Sequence, residues 1–486
     1  MKRYIILVYV VLSCTMGSFA QKKTTEFTRE NYLEDFDFIV KLIKEQHPNP
    51  FRFIAKEKFD EQTTVLRNQL MERPTLETFF LANPLALIHD AHLELLPDGD
   101  VYSAFIKQGM FFPLNTTVYD NRVFVNQYVK EVPIGAELIQ VNGQSVQDII
   151  KQIPPKVDGD IAASTQKDFG QYASILFPHS SYFTIVYRAN SLTPLQTVNL
   201  KAVDFDRFNY NKNKSVLPLK VLAYSSGIYG SVLDQETYLL QINSFALSED
   251  YAYAILNTVF SEIKDKKIKQ LILDIRDNSG GSLTNIPLFY SFISQTKRFE
   301  NTYRYATKVP YIKVKEHLID DTNRLMNRTD ITNLDNYMQQ RFDQNEADGF
   351  YYGNDRLEES YVANYPQDKN AFTGKVILIQ NNNTISAAAY FAYMFQQNQR
   401  GVIVGQETRS CSNFTTAAWF LNYKLPNTES IVALPRSEIF FNTVANKDCH
   451  CRGVIPDYSI SADQYQLGLQ EVEDAELKMA LSLLKK

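Results

Sequence analysis

Two segments place reactive residue types where a strand hands over to a helix. The first is Asp274-Ile275-Arg276-Asp277-Asn278-Ser279-Gly280-Gly281, after an apolar run at 271–275 and before a helical stretch from Leu283. Two adjacent glycines permit a tight turn there and aim amide N–H groups at an anion. No Gly-Lys-Ser/Thr follows, so this is not a phosphate loop, and the Gly-x-Gly-x-x-Gly of a dinucleotide site is absent. An oxyanion hole built from Gly280 or Gly281 fits. The second is Asn381-Asn382-Asn383-Thr384-Ile385-Ser386-Ala387-Ala388-Ala389, again between a strand and a helix. Ser386 falls at the helix N-terminus, where the positive end of the dipole favours a developing alkoxide, and the Ala387 amide is a further oxyanion donor. Taken alone, the first segment also fits an ordinary strand-to-helix turn, and the second a helix capped by Thr384 or Ser386.

Stepping outward, the chain alternates from residue 237. Apolar runs at 238–242, 271–275, 376–379 and 402–404 read as strands, and 251–263, 283–293 and 387–395 as helices. Such alternation predicts an α/β fold with a parallel sheet covered on both faces, with sites at the C-terminal strand ends. Residues 28–92 read as helices, with Thr28 as an N-cap and a stop at His47-Pro48-Asn49-Pro50. Residues 117–125 read as a hairpin turning at Asp120-Asn121, and 183–203 as a second strand pair. Residues 298–370 are polar, rich in Asn, Asp and Tyr, and without a simple period. They are expected to cover the core as a lid or side element.

Composition narrows the classes. The 486 residues are 44% hydrophobic and 22% charged, and Gly and Pro number 18 each, which excludes collagen-like and low-complexity chains. A formal charge of −5 argues against a nucleic-acid partner. The start, Met1-Lys2-Arg3 and an apolar run to Leu12, is too short to span a bilayer and reads as a signal peptide. Ser18-Phe19-Ala20 offers the cleavage site, so export to a periplasm or the exterior is expected. The alternative is a lipidated Cys14 in Val11-Leu12-Ser13-Cys14, the one route to membrane association.

After cleavage three cysteines remain, Cys411, Cys449 and Cys451, so one intrachain pair can form. In a strand Cys449 and Cys451 lie about 6.5–7 Å apart at Cα, at or beyond the disulfide limit, so Cys411 is expected to pair with one of them. A zinc site from Cys411, Cys449, His450 and Cys451 is disfavoured, because in a strand His450 points away from its neighbours. No metal and no cofactor are expected. At three residues before His92, His89 could share its helix face, a weak metal-like spacing, but surface or core placement is expected instead. His47, His179 and His317 show no partner in the sequence.

Together these segments resemble the tail-specific, or C-terminal-processing, serine peptidases. That pattern is similar to Asp274–Gly281, Thr384-Ile385-Ser386-Ala387-Ala388, Gly405-Gln406-Glu407-Thr408 and Gly453-Val454-Ile455-Pro456-Asp457, with Asp90-Ala91-His92 and Leu425-Pro426-Asn427 as further matches. The resemblance runs from about residue 25 to the C-terminus. It implies a core related to the Clp protease and crotonase folds (226–486, with the insertion at 298–370), a helical N-terminal domain (21–104) after the signal peptide (1–20), and a PDZ-like, β-rich region (105–225). It implies Ser386 as nucleophile. Cys411 stands where the processing peptidases place a lysine. The branch resembling the tricorn core uses a Ser/His/Ser/Glu tetrad, which implies His92 as base; Ala91 replaces its serine and His450 falls near its glutamate. His450 and Glu407 are the candidate orienting groups. The implied activity is an exported endopeptidase acting on peptides or unfolded, tailed proteins. The rival is an inactive relative that keeps the groove as an envelope peptide-binding protein.

Overall fold

The structure is a computed structural model; it describes residues 26–155, 157–159, 169–218, 221–357, 361–441 and 451–485. The signal segment, Cys14, Cys449 and His450 lie outside the described residues.

Six strands form the central sheet, in the order Val402–Gly405, Lys375–Gln380, Gln270–Asp274, Thr237–Ile242, Ile228–Val232, Ala223–Ser225. The first four run parallel, and Ile228–Val232 runs antiparallel to both of its neighbours. The strand Thr237–Ile242 is buried along its whole length, as a parallel strand covered on both faces must be. On one face lie the helices Glu249–Asp265, Asn285–Ser291 and Ala387–Gln397, in one core with Leu240, Leu273 and Leu378. On the other face Ala480 and Leu484, from the last helix, Ala475–Leu484, pack on Leu239, Ile272 and Ile377. The sheet is therefore of the α/β class that the alternation predicts.

Residues 298–370 contribute most of a second sheet. Its long strand Arg298–Thr307 pairs with Ser437–Phe441 on one side and with Tyr351–Gly353 and Tyr361–Pro366 on the other. The N-terminal helices Arg29–Gln46 and Lys56–Glu72 pack in one cluster with Ile312, Val314 and Leu318 of this stretch and with Leu421, Tyr423 and Val432. Thr28 caps the first helix through a capping box with Asn31.

A separate β-rich unit holds Thr116–Tyr119, Arg122–Val125, Glu137–Val141, Tyr182–Arg188 and Gln196–Lys201, with the helix Val146–Gln152 beside it. Its first hairpin turns at Asp120 and Asn121, both with positive φ, as a two-residue hairpin loop requires. The C-terminal helices tie this unit to the core. Tyr465 stacks on Tyr119 at 4.2 Å, Gln466 bonds the Gly135 carbonyl, and Asp474 reaches Arg276 beneath the central sheet.

Candidate active site

The two chemistry-bearing segments leave adjacent parallel strands at their C-terminal ends and are stitched together by their own polar side chains. The Asp277 carboxylate accepts from the Asn381 and Asn383 amides at 3.2 and 2.9 Å, and the Asp277 N–H donates to Asn381 Oδ1. Thr384 closes the second loop: its hydroxyl donates to the Ile275 carbonyl and accepts the Asn381 N–H, each at 3.1 Å. The Ile385 N–H reaches the Asn278 carbonyl, and Asn278 Nδ2 anchors to the Ile242 carbonyl on the next strand.

Ser386 sits at the turn between Lys375–Gln380 and Ala387–Gln397 with φ 59° and ψ −131°, a region that costs a non-glycine residue about 1–3 kcal/mol. Its side chain does not cap the helix, and among the described residues its hydroxyl has no hydrogen-bond partner. The helix behind it is buried from Ala387 to Phe395, so packing holds the strained turn. A sharp strand-to-helix turn that thrusts a serine hydroxyl outward is the geometry of a nucleophile elbow.

The double glycine faces this serine. A Cβ on Gly280, where φ is +89°, would fall 2.7 Å from Ser386 Cβ and 3.0 Å from the Ala387 nitrogen. A Cβ on Gly281 would fall 2.3 Å from the Phe245 carbonyl carbon. The Gly280 N–H is taken by Asn278 Oδ1 at 2.8 Å. Among the described residues the Gly281 and Ala387 amides donate to no acceptor. Gly280, with no side chain, leaves room beside Ser386.

His92 lies in the loop after the short 3-10 helix Pro84–Ile88. That helix ends at His89 in the left-handed region, so His89 and His92 share no helix face, contrary to the spacing argument. His89 instead bonds the Gly159 carbonyl at 2.7 Å. The Asp90 carboxylate accepts the His92 N–H at 2.7 Å and meets His47 Nε2 at 3.0 Å, so His47 has a buried partner that the sequence did not show. His92 Nδ1 lies 3.4 Å from the Thr415 hydroxyl. Ser386 and His92 are not hydrogen-bonded to each other in this structure.

Glu407 faces elsewhere. It binds Arg452 through two contacts of 2.8 Å and accepts the Gly453 N–H at 2.8 Å, which pins the two loop motifs together. Cys411, buried completely, is joined to Cys451 in a disulfide with a Cα separation of 5.2 Å. Cys451 lies outside any strand.

Asp158 is the residue that sequence reasoning missed. Its carboxylate, 1% exposed, accepts the Ala91 N–H at 2.9 Å and the Thr415 hydroxyl at 3.2 Å. Burial first, and the Asp90 charge second, push its acid up to about 7. Asp90, His92 and Asp158 each place a ligand atom within 4.8 Å of the others, the arrangement among the described residues that fits a cation. Hydrogen bonds already engage both carboxylates. No local signal marks Asp158 in the sequence, because it is far along the chain from every motif.

Residues 237–460 match the model for peptidase family S41. Over that stretch the chain is similar to peptidase family S41. Every residue of the Ser386 turn and the double-glycine loop lies inside this S41 region, whereas His92 and Asp158 lie outside it. Among solved structures, a serine-to-alanine mutant of CPAF is 14% identical, covering 94% of this chain and 96% of that one at a TM-score of 0.58. Mature CPAF is 14% identical over 91% and 95%, at 0.57. The photosystem II D1 C-terminal processing protease is 14% identical over 93% and 99%, at 0.39. The two CPAF likenesses extend the shared fold beyond residues 237–460. No curated protein matches in sequence.

Proposed function

We propose that this chain is an exported serine endopeptidase of the S41 family, with Ser386 as nucleophile and His92 as general base. The observation that carries the reading is Ser386 itself. It occupies a strained strand-to-helix turn, its hydroxyl is not spent on capping the helix, and it faces two undonated amides. In this reading a peptide carbonyl lies over Ser386 with its oxygen toward the Gly281 and Ala387 N–H groups. Ser386 Oγ attacks, and charge passes to an oxygen already facing two donors. His92 takes the hydroxyl proton and returns it to the leaving amine. Water then repeats the sequence on the acyl-enzyme. Catalytic hydrogen bonds are commonly loose before substrate binds, so the His92 loop has to close on Ser386 in the complex.

The β-rich unit at 116–201 is proposed to hold an extended peptide by strand addition, as a PDZ-like module would. Export rests on the Lys2-Arg3 start and the Ser18-Phe19-Ala20 site. N-terminal sequencing of the secreted chain should begin at Gln21, and a retained Met1 would refute export.

The decisive experiment is labelling with a fluorophosphonate probe alongside peptide hydrolysis. The wild-type chain should react at Ser386, and Ser386→Ala should lose both labelling and hydrolysis with unchanged unfolding. The binding-protein reading is favoured by the missing Ser386–His92 hydrogen bond. A chain that binds peptide but neither labels nor hydrolyses would establish it.

A further inference from the structure

Asp158 belongs neither to the S41 region nor to any motif, yet it is buried between the surroundings of Ser386 and those of His92. It reaches the site on residues 157–159, downstream of the helix Val146–Gln152 of the β-rich unit. That short segment is clamped on several sides. The Gly159 N–H donates to the His89 carbonyl at 2.9 Å, and His89 Nδ1 meets the Gly159 carbonyl. A Cβ on Gly159, where φ is +58°, would fall 2.5 Å from Cys451 Cβ, so the segment lies directly on the disulfide.

We infer that Asp158 is a positioning residue for catalysis, setting the tautomer of His92 through Thr415 and bracing the Ser386 turn through the Arg409–Ser410 loop. On the histidine side, the Thr415 hydroxyl donates its hydrogen bond to the Asp158 carboxylate. The Thr415 oxygen then offers only its lone pairs to His92 Nδ1. An acceptor at that position places the ring hydrogen on Nδ1 and leaves Nε2 as the base. The second carboxylate oxygen holds the Ala91 N–H, fixing the backbone from which His92 projects. On the serine side, the Asp158 N–H donates to the Arg409 carbonyl at 3.3 Å, and the Arg409 N–H donates to the Thr384 carbonyl at 2.9 Å. Ser410, next in the chain, accepts the Ser386 N–H at 2.8 Å.

The charged and titratable groups facing Asp158 are Asp90, with His47 beyond it, and His92. A carboxylate this buried and this close to a second one is a cost to folding. A purely structural role would be met as well by an amide; orienting a base would not, because an amide NH2 group turned toward Thr415 reverses the direction of its hydroxyl.

This inference rests on the peptidase reading, and its test separates the two. Peptide hydrolysis and fluorophosphonate labelling are measured on the purified full chain for Asp158→Asn, Thr415→Val, Thr415→Ser and Ser386→Ala. Asp158→Asn and Thr415→Val should each lower kcat roughly 10–100-fold and leave KM within about twofold, with labelling slowed in parallel. Thr415→Ser, which restores the hydroxyl, should recover most of kcat. Full activity in Asp158→Asn, or equal loss in Thr415→Ser and Thr415→Val, would overturn the inference while the peptidase reading stands. If Asp158→Asn fails to fold, the comparison of the two Thr415 variants decides. A wild-type chain that neither labels nor hydrolyses would overturn both.

Discussion

The Ser410 hydroxyl accepts the backbone N–H of Ser386 at 2.8 Å. This contact ties the strained peptide at the head of the Ala387–Gln397 helix to the loop that also carries Cys411. The same loop is held by Thr408, whose hydroxyl donates to the Ser410 carbonyl and accepts the Val454 N–H. This loop serves as the back wall of the Ser386 turn.

Ser410→Ala leaves the part-buried Ser386 N–H without its acceptor, at a cost of about 1–3 kcal/mol to the active geometry. Turnover should fall about tenfold or more, while the Ser386 hydroxyl remains in place. Steady-state kinetics alongside thermal unfolding would check this; unchanged kcat would show that the turn holds itself.

Gly280→Ala forces a methyl to within 2.7 Å of Ser386 Cβ and places alanine at a φ of +89°. Either the Ser386 turn shifts or the chain loses about 1–3 kcal/mol of stability. Hydrolysis should be abolished. Retention of more than a tenth of wild-type kcat would show that the turn and the double-glycine loop can separate without consequence.

Beneath the site, Arg276 binds Asp274 and Asp474 at 2.7 Å and Glu476 at 2.9 Å, with all four side chains buried. Arg276→Met strands three carboxylates and should destabilise the fold by about 3–5 kcal/mol. Urea unfolding measures it, and a change below about 1 kcal/mol would contradict the network's role.

Glu476 carries the pH dependence of that network. Burial raises its acid to about 7 against the pull of Arg276, with Asp474 adding to the rise. Its folded pKa is above its unfolded one, so the native state holds the extra proton between about pH 4.5 and 7. Its contribution to stability is full below that window and is lost as pH rises through it. Asp474, held low, acts in the opposite sense, so the comparison must be with Glu476→Gln. That variant should flatten the fall in unfolding midpoint between pH 5 and 8; an unaltered slope would place the titration elsewhere.

The Cys411–Cys451 bridge spans a sequence separation of 40 and should contribute about 3–4 kcal/mol by constraining the unfolded chain. Peptide mapping of the oxidised protein should recover 411 linked to 451. Cys451→Ser should lower stability by this amount and, by loosening the packing on Gly159, also lower kcat. A map joining 411 to 449 would refute the pairing.

The sequence by itself determined the central sheet and the strand-to-helix turn that carries Ser386. Runs such as 238–242, 271–275 and 376–379 are apolar without alternation, which only strands covered on both faces tolerate. The Asn381 N–H donates to the Thr384 hydroxyl three residues on, a contact local to that turn. The hairpin at Asp120-Asn121 and the cap at Thr28 are equally local, because turn and cap energies act over three or four residues.

What only the tertiary structure decided are the contacts between segments far apart in sequence. Asp158 meets Thr415, His47 meets Asp90, and Asp474 meets Arg276, across separations that no periodicity encodes. The insertion carried no simple period because its long strand, Arg298–Thr307, draws its partners from both the insertion and residues 437–441. The choice of Cys451 as the partner of Cys411, and of Gly281 and Ala387 as the undonated amides, likewise followed from packing. Burial, not residue type, sets which carboxylate is raised and which N–H is left for a ligand.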